Sequence, residues 1–316
     1  MSLPLESPAQ QRLADDLLAW GEDRPVAAPG VAAELRGELQ RGLAEQHDAV
    51  AAAASARRDG RVWLTRTTLE RAVCDGWQLE PEPFEHTWEN VRSHLVVAAI
   101  VEDWGRDRRV AIDAVVADVW RQEASRQPGD PGSRSAWLNA CEDPQRLRAE
   151  VAELVATFRE VWPRIPGEVL VSDLRRTHTL RLARGRVVLR GTTDVVLDSH
   201  RQDDRARALV VDLRTGLPRP GRDRRAARFS ALLWTLHTGR LPFRWASFHV
   251  PEGRVEVEDL DVEVLRDVVA SVVDAVIQLG RIADLRPGAS DHELRLSGGT
   301  WCDHCRRRVA CPEAPR

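Results

Sequence analysis

The chain has 316 residues, of which 43% are hydrophobic and 30% charged, and its formal net charge is −3. This is a globular profile with length enough for one large core, and it excludes a uniformly basic nucleic-acid wrapper, so any polyanion must meet a local patch. The opening MSLPLESPAQ lacks the charged-then-apolar order of a signal peptide, and the apolar run 95–101 is too short to cross a bilayer, so a cytoplasmic protein without membrane contact is expected.

Residues 10–58 read as Ala-rich helices, with Leu13, Leu17 and Leu18 and then Leu35, Leu39 and Leu43 at helical spacing. The stretch Gly21 to Gly30 separates them and holds Pro25 and Pro29. Residues 1–60 are thus expected to form a helical extension, and 61–316 the main domain. In WLTRTTLERAVCDGWQL, Thr67 or Thr68 is placed to cap a helix carrying Cys74 and ending at Gly76. Helical patterns follow over 86–104, which contains His94, over 110–124 and over 143–162, with a Pro/Gly/Ser loop at 127–135. These helices, about 85–163, read as an insertion in the main domain.

After Pro166 the texture changes to strands, at 168–173 and 177–182, and then to a hairpin over 187–216. Its arms, VVLRGTTDVVL and ALVVDLRTG, flank a polar turn. Each arm carries one carboxylate among apolar residues, Asp194 and Asp212. Two acids on adjacent strands make a poor core and a good seat for a hard divalent cation. Arg214 falls on the same strand face as Asp212, because side chains repeat with period two. An Arg-dense turn then leads into a helix over 224–238, a strand over 243–250 and an amphipathic helix over 262–282. Arg219, Arg222, Arg224, Arg225 and Arg228 form a candidate phosphate cradle. Trp234, Trp245 and Trp301 offer stacking faces, although core bulk is the plainer role in a chain with no Tyr.

The chain closes on a Cys cluster over 298–316, Cys302-x2-Cys305-x5-Cys311. Three thiolates need a fourth ligand to hold zinc or an iron–sulfur cluster, and His304, Cys141 and Cys74 are the candidates. In a reducing compartment such a set points to metal rather than to disulfides.

Taken in order, Thr65-x-Thr67-x-Leu69-x4-Cys74, a helix bearing His94, GTTD at 191–194, VVDLRTG at 210–216, an Arg-rich helix and the terminal C-x2-C-x5-C resemble the RecB-like branch of the PD-(D/E)XK nucleases. Within that branch the chain looks like the iron–sulfur members, the CRISPR-associated RecB-like exonucleases and AddB-type nuclease domains. The resemblance covers about 61–312 and implies an α/β restriction-endonuclease-like core, a small mixed sheet flanked by helices.

It also implies roles. His94, Asp194, Asp212 and the Leu213 carbonyl would ligate Mg²⁺ or Mn²⁺, and Cys74, Cys302, Cys305 and Cys311 would hold a 4Fe-4S cluster. The family has Gly shortly before the His, where Asn90 and Val91 stand. It has Lys where Arg214 stands, and Arg cannot give up a proton at neutral pH. The family's Gln and Tyr on the next helix are replaced by Arg228 or Ser230 and by Trp234. Every basic residue in this chain is Arg, with no Lys at all, so coding drift is one source of Arg214. The expected function is a metal-dependent DNA nuclease, an exonuclease or one acting on ends or single strands, in repair, recombination or defence beside a helicase or similar partner. The alternative is a catalytically degenerate DNA-binding or scaffolding module.

Overall fold

The structure is a computed structural model describing residues 7–18, 29–75, 85–104, 110–127, 129–163, 169–199, 207–285, 294–298, 302, 305 and 307–314. Gly76, His304 and Trp301 lie outside the described residues. Three helices open the chain: α1 (Pro8–Leu18), α2 (Val31–Glu45) and α3 (His47–Ser55). A short strand β1 (Val62–Leu64) and a short helix α4 (Arg66–Arg71) follow. Then come α5 (Trp88–Trp104), α6 (Ile112–Ser125), α7 (Arg134–Asn139) and α8 (Pro144–Val161). The sheet is built from β2 (Val169–Leu182), β3 (Val187–Ser199) and β4 (Leu209–Arg214), then α9 (Pro220–Thr238), β5 (Arg244–His249), β6 (Arg254–Asp259) and α10 (Val262–Asp284).

The fold is the expected mixed α/β one: six strands with helices on both faces. β3 pairs antiparallel with β2 and β4 and parallel with β1, and β4 continues parallel to β5, with antiparallel β6 at the edge. On one face α2, α3, α9 and α10 pack over Leu189, Val196, Val210 and Trp245. On the other, α1, α5, α6 and α8 cover Val195, Leu209, Val211 and Phe248. α10 presents Leu265, Val268, Val269, Val272, Val276 and Leu279 as one apolar stripe, and Asp261 caps it by accepting from Val264 N. The close approach of α3 depends on Gly280, where a Cβ would meet the Ala49 carbonyl oxygen at 2.6 Å.

Several boundaries differ from the sequence reading. The strands expected at 168–173 and 177–182 are one long strand with a bulge between Val171 and Asp173. α4 starts earlier than expected because Thr65 caps it, its Oγ1 accepting from Thr68 N at 3.2 Å, and the helix stops at Arg71, before Cys74. Within the expected loop 127–135, Ser133 caps α7. β1 and β6 were not anticipated. β1 has only three residues, and β6, RVEVED, is a polar edge strand with little burial to mark it.

Two features of the long hairpin position the site. In β2, Leu180 and Leu182 pack into one helical layer and Leu174 into the other; in β3, Leu189 and Val195 do the same. Residues of equal parity cannot change face along a regular strand. The break sits at Arg175, whose φ of 46° is left-handed, a conformation rare for a bulky side chain. The second feature is on the edge of β3 away from β2. β1 takes residues 187–189 of that edge and β4 takes 195–197, leaving 190–194 unpaired there.

Candidate active site

A cavity of ≈ 730 Å³ opens at that gap in the sheet, lined by Arg190, Gly191, Thr192 and Asp194 of β3. Asp212, Leu213 and Arg214 at the end of β4, His94 on α5, Arg66 and Glu70 on α4, and the first turn of α9 complete the wall. Six guanidinium groups (66, 175, 190, 214, 219, 222) face four carboxylates (70, 194, 212, 223), so the cavity is cationic although the chain is not.

Asp194 lies one step beyond the Val195–Val211 pair, which sets it opposite Asp212. Its Oδ2 accepts from the Leu213 backbone N at 2.9 Å, a bond the ladder would otherwise have made. Asp194 fronts the cavity and is only half-buried by surface, yet protein packs densely around its carboxyl. That burial, with the Asp212 charge beside it, pushes Asp194 up to about 8 from 3.8. Burial would also raise Asp212, but the Arg214 and Arg66 guanidinium groups hold it below the usual carboxylate range. Arg214 Nη2 and Arg66 Nη1 both bond Asp212 Oδ2, the latter at 3.3 Å. The two carboxylates therefore resist ionising together, Asp194 being the one pushed up.

Arg214 also lies 3.7 Å from Asp223 through its Nε, and Asp223 accepts from Arg219 N at 2.7 Å to close the entry to α9. The expected arginine cradle divides over the faces of α9. Arg219 and Arg222 reach the cavity, and Arg222 is held by Glu70 at 2.9 Å. Arg225 and Arg228 line a neighbouring cleft instead, and Arg228 is bonded to Glu258 at 3.0 Å. Arg224 is exposed, 3.8 Å from Glu258. Of the residues at the resemblance's Gln and Tyr positions, Ser230 reaches the cavity, whereas Trp234 is core. Trp245 is core as well.

His94 stands in the wall of the same cavity, but its ring is engaged elsewhere. Nε2 lies 2.8 Å from Glu123 Oε2 and 2.7 Å from Arg134 Nη1, and Nδ1 lies 2.6 Å from Arg175 Nη2. Burial lowers the His94 pKa, so the ring is neutral, donating from Nε2 to Glu123 and accepting at Nδ1 from Arg175. Burial alone would raise Glu123, yet the bond from His94, with Arg126 and Arg134 close by, brings it down to about 2. Arg175 on β2 lies within electrostatic reach of Asp194 on the neighbouring strand β3, linking the two groups. Among the described residues, no three His, Cys, Asp or Glu side chains converge closely enough to hold a metal ion. The structure thus joins Asp194 to Asp212 and leaves His94 beside them.

Sequence reasoning missed Arg66 and Arg175. Arg66 lay inside the quoted Thr65–Leu69 motif; Arg175 had no signal, because its role depends on a left-handed backbone.

The cysteines are all free. Asp75, next to Cys74, donates from its N to the Arg295 carbonyl at 3.0 Å and accepts from Arg295 N and Arg281, so the tail is pinned beside Cys74. The Cys305 thiol is pushed up by burial and also by the proximity of Cys74, Cys302 and Cys311. The four are electrostatic neighbours, though not closed to ligating geometry. Cys141 packs against the helices of the opposite layer.

The sequence pattern of the PD-(D/E)XK nuclease superfamily matches residues 91–312. The chain belongs to that superfamily. No curated protein shows significant similarity to it. The superfamily match spans β2 to β4, α9 and the terminal cysteines, and starts within α5, three residues before His94. Membership makes a metal-dependent nuclease the general expectation, with DNA as substrate. Among the described residues, no helix is long and apolar enough to cross a membrane.

Proposed function

We propose that the cavity hydrolyses DNA phosphodiester bonds with Mg²⁺ or Mn²⁺, as an exonuclease or an end- or single-strand-acting enzyme of repair, recombination or defence. The observation that carries this reading is the facing pair Asp194 and Asp212, set opposite each other by the strand register under a cationic mouth. The donor set fits the ion, because two carboxylates and the Leu213 carbonyl are hard oxygen ligands. When bound, such an ion would polarise a phosphate oxygen and lower the pKa of the attacking water.

The residues themselves do the rest. Asp194 and Asp212 would hold the ion, and Arg214 is placed to turn from Asp212 toward the phosphate, keeping its charge at every working pH. Arg219 and Arg222 hold the flanking backbone. His94 would be a further ligand through Nδ1, the atom that now accepts from Arg175, and a neutral ring is the form a metal needs.

Cys74, Cys302, Cys305 and Cys311 would hold a 4Fe-4S cluster that staples the tail to α4. The pinned tail and the mutual influence of the four thiols support this. Protein purified without oxygen is expected to be brown, with iron and sulfide that Cys74→Ser removes; a colourless zinc protein would refute the cluster. A helicase or similar repair or defence protein is the proposed partner.

One observation favours a second reading, a DNA-binding scaffold: Arg66 and Arg214 already neutralise Asp212 as an ion would. Labelled single- and double-stranded DNA incubated with Mn²⁺ or Mg²⁺ decides. Cleavage by wild type that is lost in Asp194→Asn and Asp212→Asn supports the enzyme. Inert wild type with active Arg214→Lys identifies a degenerate nuclease. DNA bound but cut by neither identifies the scaffold.

A further inference from the structure

A second cleft, of ≈ 250 Å³, lies between α4, α9 and α10, and Arg66, Glu70 and Phe229 line both it and the catalytic cavity. Its floor is apolar, formed by Leu69, Ala226, Phe229 and Val268. One wall is a polar stripe on successive turns of α10: Asp267, Ser271, Asp274 and Gln278. Across from the stripe stand Arg225 and Arg295, both exposed.

The lining mixes charges, with Asp267 and Asp274 exposed and Glu70 buried beside the half-buried Arg66 and Arg228, so it is not a purely cationic seat for a phosphate. It does suit a flat, neutral, aromatic group joined to a phosphate outside. The apolar floor and the Phe229 edge cover a π-face, and the guanidinium groups at the mouth meet the charged backbone. The carboxylates can only accept hydrogen bonds. Adenine, cytosine and guanine each offer an exocyclic amino group to such an acceptor, and thymine does not.

We infer that this cleft is a subsite for one unpaired nucleobase bearing an exocyclic amino group, the neighbour of the nucleotide whose phosphate enters the catalytic cavity. The inference rests on the nuclease reading only for the identity of the strand. The three shared residues set the two cavities side by side, so the strand would pass its phosphate by Arg66 in one and turn its base into the other. Pairing within a duplex would hide the same base edge, so the subsite also selects single strands or frayed ends.

The test measures binding by fluorescence anisotropy in metal-free buffer, with single-stranded oligomers of equal length: oligo-dA, oligo-dT and an abasic chain. Wild type is expected to bind oligo-dA about tenfold tighter than the abasic chain, in the range of one stacked base, with oligo-dT between them. Ser271→Trp, which fills the cleft from an exposed position, should remove the base preference while the salt dependence, set by phosphate contacts, stays the same. Asp274→Ala, a surface change that carries little folding risk, should bring oligo-dA down to the level of oligo-dT. Equal binding of all three oligomers by wild type, or a preference that survives both substitutions, overturns the subsite. Cleavage in Mn²⁺ separates this from the nuclease reading. Cutting without any base preference removes the subsite alone, and base preference without cutting removes the nuclease alone.

Discussion

Two groups of buried charge share one cavity wall and have opposite characters. Around His94, one carboxylate, Glu123, is met by the imidazole, Arg134 and Arg126, with Arg175 closing the other side of the ring. The single carboxylate is met by several donors, and Glu123 is driven down to about 2. At the end of the hairpin, two carboxylates face each other, and one is driven up to about 8 while its neighbour is held down. A satisfied network fixes helices in place. A pair of carboxylates that resist ionising together is instead a seat that a cation stabilises. The contrast predicts that Glu123 and its arginines matter to stability and the aspartate pair to chemistry.

The largest effect expected is on cleavage. Asp212→Asn should reduce Mn²⁺-dependent cutting by more than about a hundredfold, as loss of a metal ligand does. Asp194→Asn should do likewise while changing stability by less than about 1 kcal/mol, because an amide resembles the protonated acid and can still accept from Leu213 N. Paired nuclease assays and urea unfolding check this. A variant that loses activity only by unfolding would erase the distinction between the two groups.

Next in size is Glu123→Ala. It strips the counter-charge from Arg134 and Arg126 and leaves His94 without an acceptor, so a loss of about 3 kcal/mol is expected in urea unfolding. The pH dependence has a defined sign. Glu123 titrates lower when folded than when unfolded, so its contribution is present above about 4.5 and is lost as pH falls toward about 2. Wild type should therefore lose its margin over Glu123→Ala across that window. A margin that is constant with pH would mean that the network contributes packing rather than charge.

The same contrast decides what could be read from the sequence. Asp194 and Asp212 were legible because each interrupts an apolar, β-branched run, and such an interruption is costly unless the acid has a use. Arg214 followed from period two. The hairpin, β5 and α10 were legible for the same reason: their patterns are regular. Arg66 and Arg175 were not, since each acquires its role from an element distant in the chain. Arg66 meets Asp212 only because Thr65 starts α4 where it does, and Arg175 meets His94 only because its backbone turns left-handed. The arginine run misled for a related reason. Five like charges look like one patch in sequence, but a helix turns 219 and 222 toward the cavity and 225 and 228 toward the adjoining cleft.

The smallest effect tests that dependence. Thr65→Ala removes the hydroxyl that accepts from Thr68 N, and a lost cap of this kind costs about 1 kcal/mol. α4 has only six residues, so it has little else of its own to hold its first turn. Arg66 opens that turn and should be released from Asp212 more than the global stability change alone would suggest. With one guanidinium gone, Asp212 becomes a freer ligand, and Mn²⁺ is expected to bind a few times more tightly to Thr65→Ala than to wild type, measured by calorimetry. Thr65→Ser keeps the acceptor and should match wild type in both readouts. If Thr65→Ala lowers stability and leaves Mn²⁺ affinity unchanged, Arg66 is a bystander to the carboxylate pair, and Arg214 alone holds the Asp212 charge.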